Sequence, residues 1–344
     1  MTLAPYLVAI LGLGVLMVVH EAGHYFAARH YGMRVVRFSI GFGPTIWKHK
    51  PKDSPTVYQI ALIPFLAYVQ IAGMNPYEEN DPKDPQSYAN ASLWARIVTI
   101  AAGPLTNYFF ASVLIFVGLL IGGKPVPDDT SMRVVVDAGP AQTAGMRDGD
   151  RVLEVNGEAV HNWDQLKKLV SAHPGEAIDI STERDGQTIH QTVTPTPKGG
   201  SDEGLIHIRT PTHNEPVGLW EAARTSVIAP PIFVYGNVRE IGEAIAGRVK
   251  LQLNGPVGIV KETANQAKTG PSGLLWFLGM LSAYLGAFNL LPFPALDGGR
   301  LLFLLAEAVS RRKPDAKLEA QVHAVGLLML LTLIAVVTFA DVRR

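Results

Sequence analysis

Histidine, glutamate and histidine stand together in "VVHEAGHYFA" (Val18–Ala27), as His20, Glu21 and His24. Residues four apart in an α-helix share one face about one turn apart. The two imidazoles can therefore aim at one metal ion, with Glu21 alongside to take the proton of an attacking water. At average residue usage this HExxH spacing arises by chance in on the order of one chain in a hundred of this length. Two histidines merely capping or snorkelling at a helix end would leave Glu21 without a reason. They also do not complete a site, because catalytic zinc usually takes three protein ligands and keeps one position open. The candidate for the third is in "NLLPFPALDGGR" (Asn289–Arg300), where Pro292 and Pro294 break an apolar run and present Asp297 ahead of Gly298 and Gly299. A plain turn, or a local pair of Asp297 with Arg300, is the alternative there.

The elements that carry these residues are apolar. Of 344 residues 48% are hydrophobic, the formal net charge is zero, and there is no cysteine. Charge balance supplies no basic patch for nucleic acid. Without cysteine there are no disulfides, thiolate ligands or cysteine nucleophiles. The apolar residues gather in four runs, Leu3–Ala28, Leu93–Ile121, Leu274–Leu291 and Val322–Ala340. Each is long enough, or nearly so, to cross a hydrocarbon core of about 30 Å. The first lacks a basic leader and a small-residue cleavage site, and reads as a retained span rather than a signal peptide. Ionisable groups inside a bilayer are costly and functional by default, so His20, Glu21, His24 and Asp297 stand out. From Leu3 to His20 a helix climbs about 25 Å at 1.5 Å per residue, and Asp297 falls at a similar depth beyond Leu274. Lys and Arg cluster after the first and third spans. The positive-inside bias then puts both termini and the long 122–272 segment outside, with the ligands towards the cytosol.

Between the first two spans, "MRVVRFSIGFGPTIWK" and "TVYQIALIPFLAYVQIAG" have strand-and-turn composition and are too apolar for a solvated loop. They are expected to form a hairpin region at or in the membrane, its amides satisfied by protein or water. "NPYEENDPKDPQS" (Asn75–Ser87) reads as a surface loop. In the soluble stretch, "GPAQTAGMRDGDRVLEVNGEAV" is followed by a helix starting at Asn162 and a hairpin through Asp185-Gly186. This block resembles a PDZ domain of the kind found in bacterial proteases. The expected division is an N-terminal membrane core over 1–126, a PDZ domain over 127–198, a linker and amphipathic membrane-associated segment over 199–272, and a C-terminal membrane core over 273–344. The fold class expected is thus an α-helical multi-pass membrane protein of about four spans, with a membrane-associated β-hairpin region and an inserted α+β PDZ domain.

Taken in order, "HEAGH", "GFGP" (Gly41–Pro44), "GPLTN" (Gly103–Asn107), the PDZ-like block, "NGPVGI" (Asn254–Ile259) and "NLLPFPALDGG" resemble the site-2 protease family over nearly the whole chain. Within it the sequence is most similar to the bacterial regulator-of-sigma-E-protease-like branch, here with one PDZ domain. The resemblance implies an intramembrane zinc endopeptidase acting on single-pass membrane proteins, such as anti-sigma factors or remnant signal peptides, in the bacterial inner membrane. It implies that His20, His24 and Asp297 hold Zn²⁺ and that Glu21 is the catalytic base. Asn289 resembles the family asparagine near the active site and would hydrogen-bond substrate backbone. Asn107 would do the same or tie two helices together, and Gly103 and Pro104 would shape close helix packing. One departure is visible: "PFLAYV" (Pro64–Val69) stands where relatives tend to have Gly-Gly-Tyr-Val, which implies a hairpin of altered shape.

A substrate helix must unwind before its carbonyls become reachable. Alternating apolar residues beside glycines around "SIGFGP" suggest that Val36–Gly43, with Gly41 and Phe42, is an edge on which unwound substrate adds as a strand. The PDZ domain admits several uses, and its ligand does not follow from the sequence. Two other classes compete with proteolysis: a membrane PDZ scaffold with a structural metal, and a metal transporter. Glu21 is needed for water activation but not for a scaffold, and the other spans carry few of the polar residues a transporter would need.

Overall fold

The computed structural model describes residues 3–77, 81, 83–128, 130–197, 203–247 and 255–343. Outside these lie part of the acidic loop, residue 198 at the end of the expected PDZ domain, and residues 199–202 and 248–254 of the expected linker and amphipathic segment, which include Asn254 at the start of "NGPVGI". The chain opens with helix α1 (Ala4–His30), strands β1 (Val35–His49) and β2 (Val57–Ile71), and helix α2 (Leu93–Gly122). Next come β3 (Lys124–Pro127), β4 (Val135–Val136), α3 (Pro140–Thr143), β5 (Arg151–Val155), β6 (Glu158–Ala159), α4 (Trp163–Ser171), β7 (Ile178–Arg184) and β8 (Gln187–Val193). Short strands β9 (Thr196–Pro197), β10 (Gly204–Leu205), β11 (Ile208–Arg209) and β12 (Thr212–Glu215) lead to α5 (Leu219–Ile245) and α6 (Pro256–Thr269). Helices α7 (Pro271–Asn289), α8 (Asp297–Ser310) and α9 (Ala316–Arg343) complete it.

Two compact units emerge. One comprises Met1–Ile121, Gly218–Tyr235 and Leu253–Arg344; the other comprises Gly122–Val217 and Gly236–Gln252. In the first, α1, α2, α7 and α9 are long and apolar enough to cross a membrane, and they coincide with the four runs read from the sequence. Glycines let these helices approach closely, since a Cβ at Gly23 would collide with the Ala102 carbonyl on α2, and one at Gly286 with the Pro104 carbonyl. Ala28, Met33, Val35, Ile71 and Ala95 form a buried cluster that joins the end of α1 to the hairpin and to α2.

The hairpin is more folded than two strands. Residues 37–40 of β1 pair on one side with 67–70 and on the other with 57–60, while 45–49 pair with 58–61. The long strands are therefore bent, with Gly41 and Gly43 at φ near +90° in β1 where the direction changes. A side chain at Gly41 would also meet the Ala61 and Ile63 carbonyls. This corrects one expectation: Val36–Gly43 is not an edge, because both flanks of 37–40 are taken. Among the described residues the edges are 45–49 and 67–71. A run of alternating residues does not say how many neighbours its strand will have.

The second unit holds a four-stranded sheet in the order β6-β5-β7-β8 over a core that includes Val134, Val152, Leu166, Ile178, Ile180 and Val193. The Asn156-Gly157 and Asp185-Gly186 turns fall at positive φ in all four residues, as two-residue hairpins require. Asn162 caps α4, its side chain accepting from the Gln165 N–H at 2.8 Å. Strands β10, β11 and β12 lie beyond residue 198, in what the sequence gives as linker, and pair back on β9, β4 and β3. Strands of two to four residues are too short to show a period.

Candidate active site and metal centre

The site lies wholly within the first unit, and two unlike elements build it. Helix α1 brings His20 and His24, which are 5% and 6% exposed. Asp297 comes from the first turn of α8, after the break at 290–296. The three side chains meet. His20 Nε2 lies 3.1 Å from Asp297 Oδ2, His24 Nε2 lies 3.3 Å from the same oxygen, and the two Nε2 atoms are 3.2 Å apart. In tetrahedral zinc sites with bonds near 2.0–2.1 Å, neighbouring ligand atoms stand about 3.3 Å from one another. The triangle therefore has the dimensions of three corners of a zinc tetrahedron.

Hydrogen bonding supports the same fit. His24 donates its Nδ1–H to the Thr99 carbonyl at 2.8 Å, which fixes the tautomer and leaves an Nε2 lone pair facing inward. Asp297 Oδ2 is buried and accepts no hydrogen bond of acceptable geometry despite its two close imidazoles. Lone pairs brought this close in a buried place call for a cation between them. On α2, Asn107 Nδ2 lies 3.4 Å from His20 Nδ1, and Asn107 Oδ1 is buried without a partner. Turned through 180°, the amide would offer Oδ1 to the His20 Nδ1–H. The Asn107 carbonyl also accepts from Ser282 on α7 at 2.8 Å. So Asn107 both meets His20 and sits at a junction of helices. Gly103 is where His24 needs space, since a Cβ there would overlap the imidazole.

Glu21 sits among these groups, within electrostatic reach of His20, His24 and Asp297. Its Oε2 accepts from the Val69 N–H at 2.9 Å. Val69 belongs to 67–71, the sheet edge beside α1, so the hairpin reaches the site through its backbone. That bond survives the departure in "PFLAYV" because a peptide N–H does not depend on the side chain. Gly41 lies at the bend of β1, its carbonyl accepting from Ser39 at 2.8 Å. Phe42 is exposed and meets the Tyr68 ring edge-on at 6.5 Å. Asn289 ends α7 with its amide donating to the Leu285 carbonyl at 2.9 Å. None of these last three belongs to the His-His-Asp group.

The loop before Asp297 is tightly fitted. Ala295 has φ +78°, a left-handed conformation that costs a residue with a Cβ about 1 kcal/mol or more. A Cβ at Gly298 would collide with the Leu290 and Leu291 carbonyls, and one at Gly299 with the Phe293 carbonyl. Further along α8, Glu307 forms a buried two-pronged ion pair with Arg96 of α2. The HExxH signal and Asp297 were readable in the sequence; the Thr99 carbonyl, the Val69 N–H, Arg96 and Glu307 were not. Arg96 and Glu307 are 211 positions apart, and backbone partners have no letter of their own.

A His-His-Asp group beside a glutamate on a membrane-length helix defines a metal-dependent peptidase set in a membrane. The chain belongs to Peptidase family M50, whose model matches residues 8–333. It is 30% identical to the zinc metalloprotease RasP of Geobacillus kaustophilus, covering 100% of this chain and 99% of the relative. It is 29% identical to the regulator of sigma-W protease RasP of Bacillus subtilis, covering 96% of each, and 30% identical to the zinc metalloprotease RasP of Bacillus licheniformis, covering 97% and 98%. The chain is a zinc metalloprotease and an integral membrane protein.

Proposed function

We infer that the protein is an intramembrane endopeptidase that cuts single-pass membrane proteins within or near their spans, with anti-sigma factors and remnant signal peptides as the substrate classes. The observation that carries this reading is the meeting of His20, His24 and Asp297 at ligand distances, with Glu21 beside them. In it, His20 and His24 bind as neutral imidazoles and Asp297 as a carboxylate. Zinc held there would lower the pKa of a water towards about 7 and polarise the scissile carbonyl. Glu21 takes the proton of the attacking water and delivers it to the leaving amine. Thr99 and Asn107 keep the two imidazoles turned inward.

An unwound substrate would add as a strand at 67–71, the edge whose Val69 N–H already points at Glu21. Asn289, Gly41 and Phe42 are kept as candidate substrate contacts along this path. The second unit is read as a PDZ domain on the periplasmic or extracellular side of the bacterial inner membrane. The order of its hairpins, its capped helix and the "GPAQTAGMRDGDRVLEVNGEAV" block support that reading.

Cleavage of a panel of single-span substrates by the purified full chain in detergent tests the proposal. Glu21→Gln should keep zinc and lose cleavage by about 10²–10⁴-fold. Equal cleavage by wild type and Glu21→Gln would sink it.

A further inference from the structure

Asp297 is delivered by a loop, and a loop needs something to hold it. The Ala295 N–H, two residues before Asp297, donates to Nδ1 of His323 on α9 at 2.9 Å. An imidazole nitrogen that accepts must carry a lone pair, so His323 is neutral there, with its proton on Nε2. Its neighbours make this an arranged contact rather than a passing one. The Phe303 ring of α8 stands 5.9 Å from the His323 ring. One turn further along α9, a Cβ at Gly326 would collide with Pro294, so α9 lies directly against the loop. Ala295 also has the one left-handed backbone in this loop among its non-glycine residues, the conformation most in need of an external tether.

We propose that His323 is a positioning residue for the metal centre: by holding the Ala295 peptide it sets the loop from which Asp297 reaches the two histidines. This rests on the reading of Asp297 as a ligand. Helix α9 then contributes to the chemistry without touching it, and a membrane span that otherwise exposes most of its apolar side chains has a defined task at this one turn. Outer-shell hydrogen bonds of this kind act on metal affinity through the ligand they orient.

The test is zinc affinity of the full chain in detergent, measured by competition with a chelator, for wild type, His323→Asn, His323→Gln and His323→Leu, with Asp297→Asn alongside. Asn places an acceptor oxygen close to the position of Nδ1, whereas Gln carries it one carbon further out and Leu has none. His323→Asn should keep affinity within about twofold, and Gln and Leu should weaken it about tenfold or more. Wild-type affinity in His323→Leu, or an Asn variant as weak as Leu, would overturn the proposal, the latter because it marks a packing role. If the Leu variant does not fold, the Asn–Gln pair decides, and equal affinities overturn it. Wild-type affinity in Asp297→Asn would overturn the ligand assignment itself and the proposal with it.

Discussion

The two halves of the candidate metal centre are built by different physics. On α1, the 3.6-residue period alone puts His20 and His24 on one face, and the helix would do so in any context that keeps it helical. Asp297 has no such guarantee. It follows a stretch with two prolines and a left-handed Ala295 and precedes two glycines packed against carbonyls, and its position depends on α9 through His323 and on α2 through the Arg96–Glu307 pair. One half owes its shared face to local geometry, with α2 only turning the rings, and the other owes its very position to tertiary support.

The largest effect is expected on the helical side. His24→Ala should lose zinc and lower cleavage by about 10³-fold or more, since two protein ligands do not make a catalytic zinc site; zinc content and cleavage rate check it together. Gly103→Ala probes the same half without replacing a candidate ligand. The added methyl would push the His24 ring, and zinc affinity should fall about 10–100-fold, as read by chelator competition. On the loop side, Ala295→Gly should have a smaller and opposite effect on stability. Removing the left-handed strain should raise it by up to about 1 kcal/mol, less what the freer unfolded chain takes back, seen as a modest rise in thermal midpoint.

The smallest effect on the site should come from the second unit, which serves as a control. Burial pushes the Asp150 carboxyl up, but the Arg184 guanidinium at 2.7 Å and the Arg147 N–H at 2.9 Å hold it below the usual carboxylate range. A depressed folded value stabilises at pH above the unfolded value of about 3.9 and is lost as pH falls through the folded one. The unit should thus weaken on acidification below about pH 4, and Asp150→Asn should reduce that dependence while leaving zinc affinity unchanged. A thermal melt followed against pH checks the first, and chelator competition the second.

Legibility in the sequence followed the same division. Four helices of membrane-crossing length, the HExxH face and Asp297 in its Pro-broken loop could be read because period, length and an ionisable residue in an apolar run are visible in the letters themselves. The turns at Asn156-Gly157 and Asp185-Gly186 and the cap at Asn162 were visible for the same reason. Hidden were the partners supplied by distant chain: the Thr99 carbonyl behind His24, the Val69 N–H on Glu21, and His323 behind Ala295. The edge expected at Val36–Gly43 was misplaced because strand alternation records which face is apolar, not which flank is free. The edge at 67–71 is set by bends at Gly41 and Gly43 whose consequence appears only once the strands pair.

In the site proposed above, helix and loop converge on one zinc ion. The zinc K-edge absorption spectrum of the full chain, compared with His24→Ala supplied with zinc, examines this convergence at the ion itself. The wild-type shell should hold two imidazoles with oxygen donors at about 2.0–2.1 Å, and His24→Ala either no bound zinc or a shell with one imidazole fewer. The same two-imidazole spectrum in both proteins would place the zinc elsewhere and rule out His24 as a ligand.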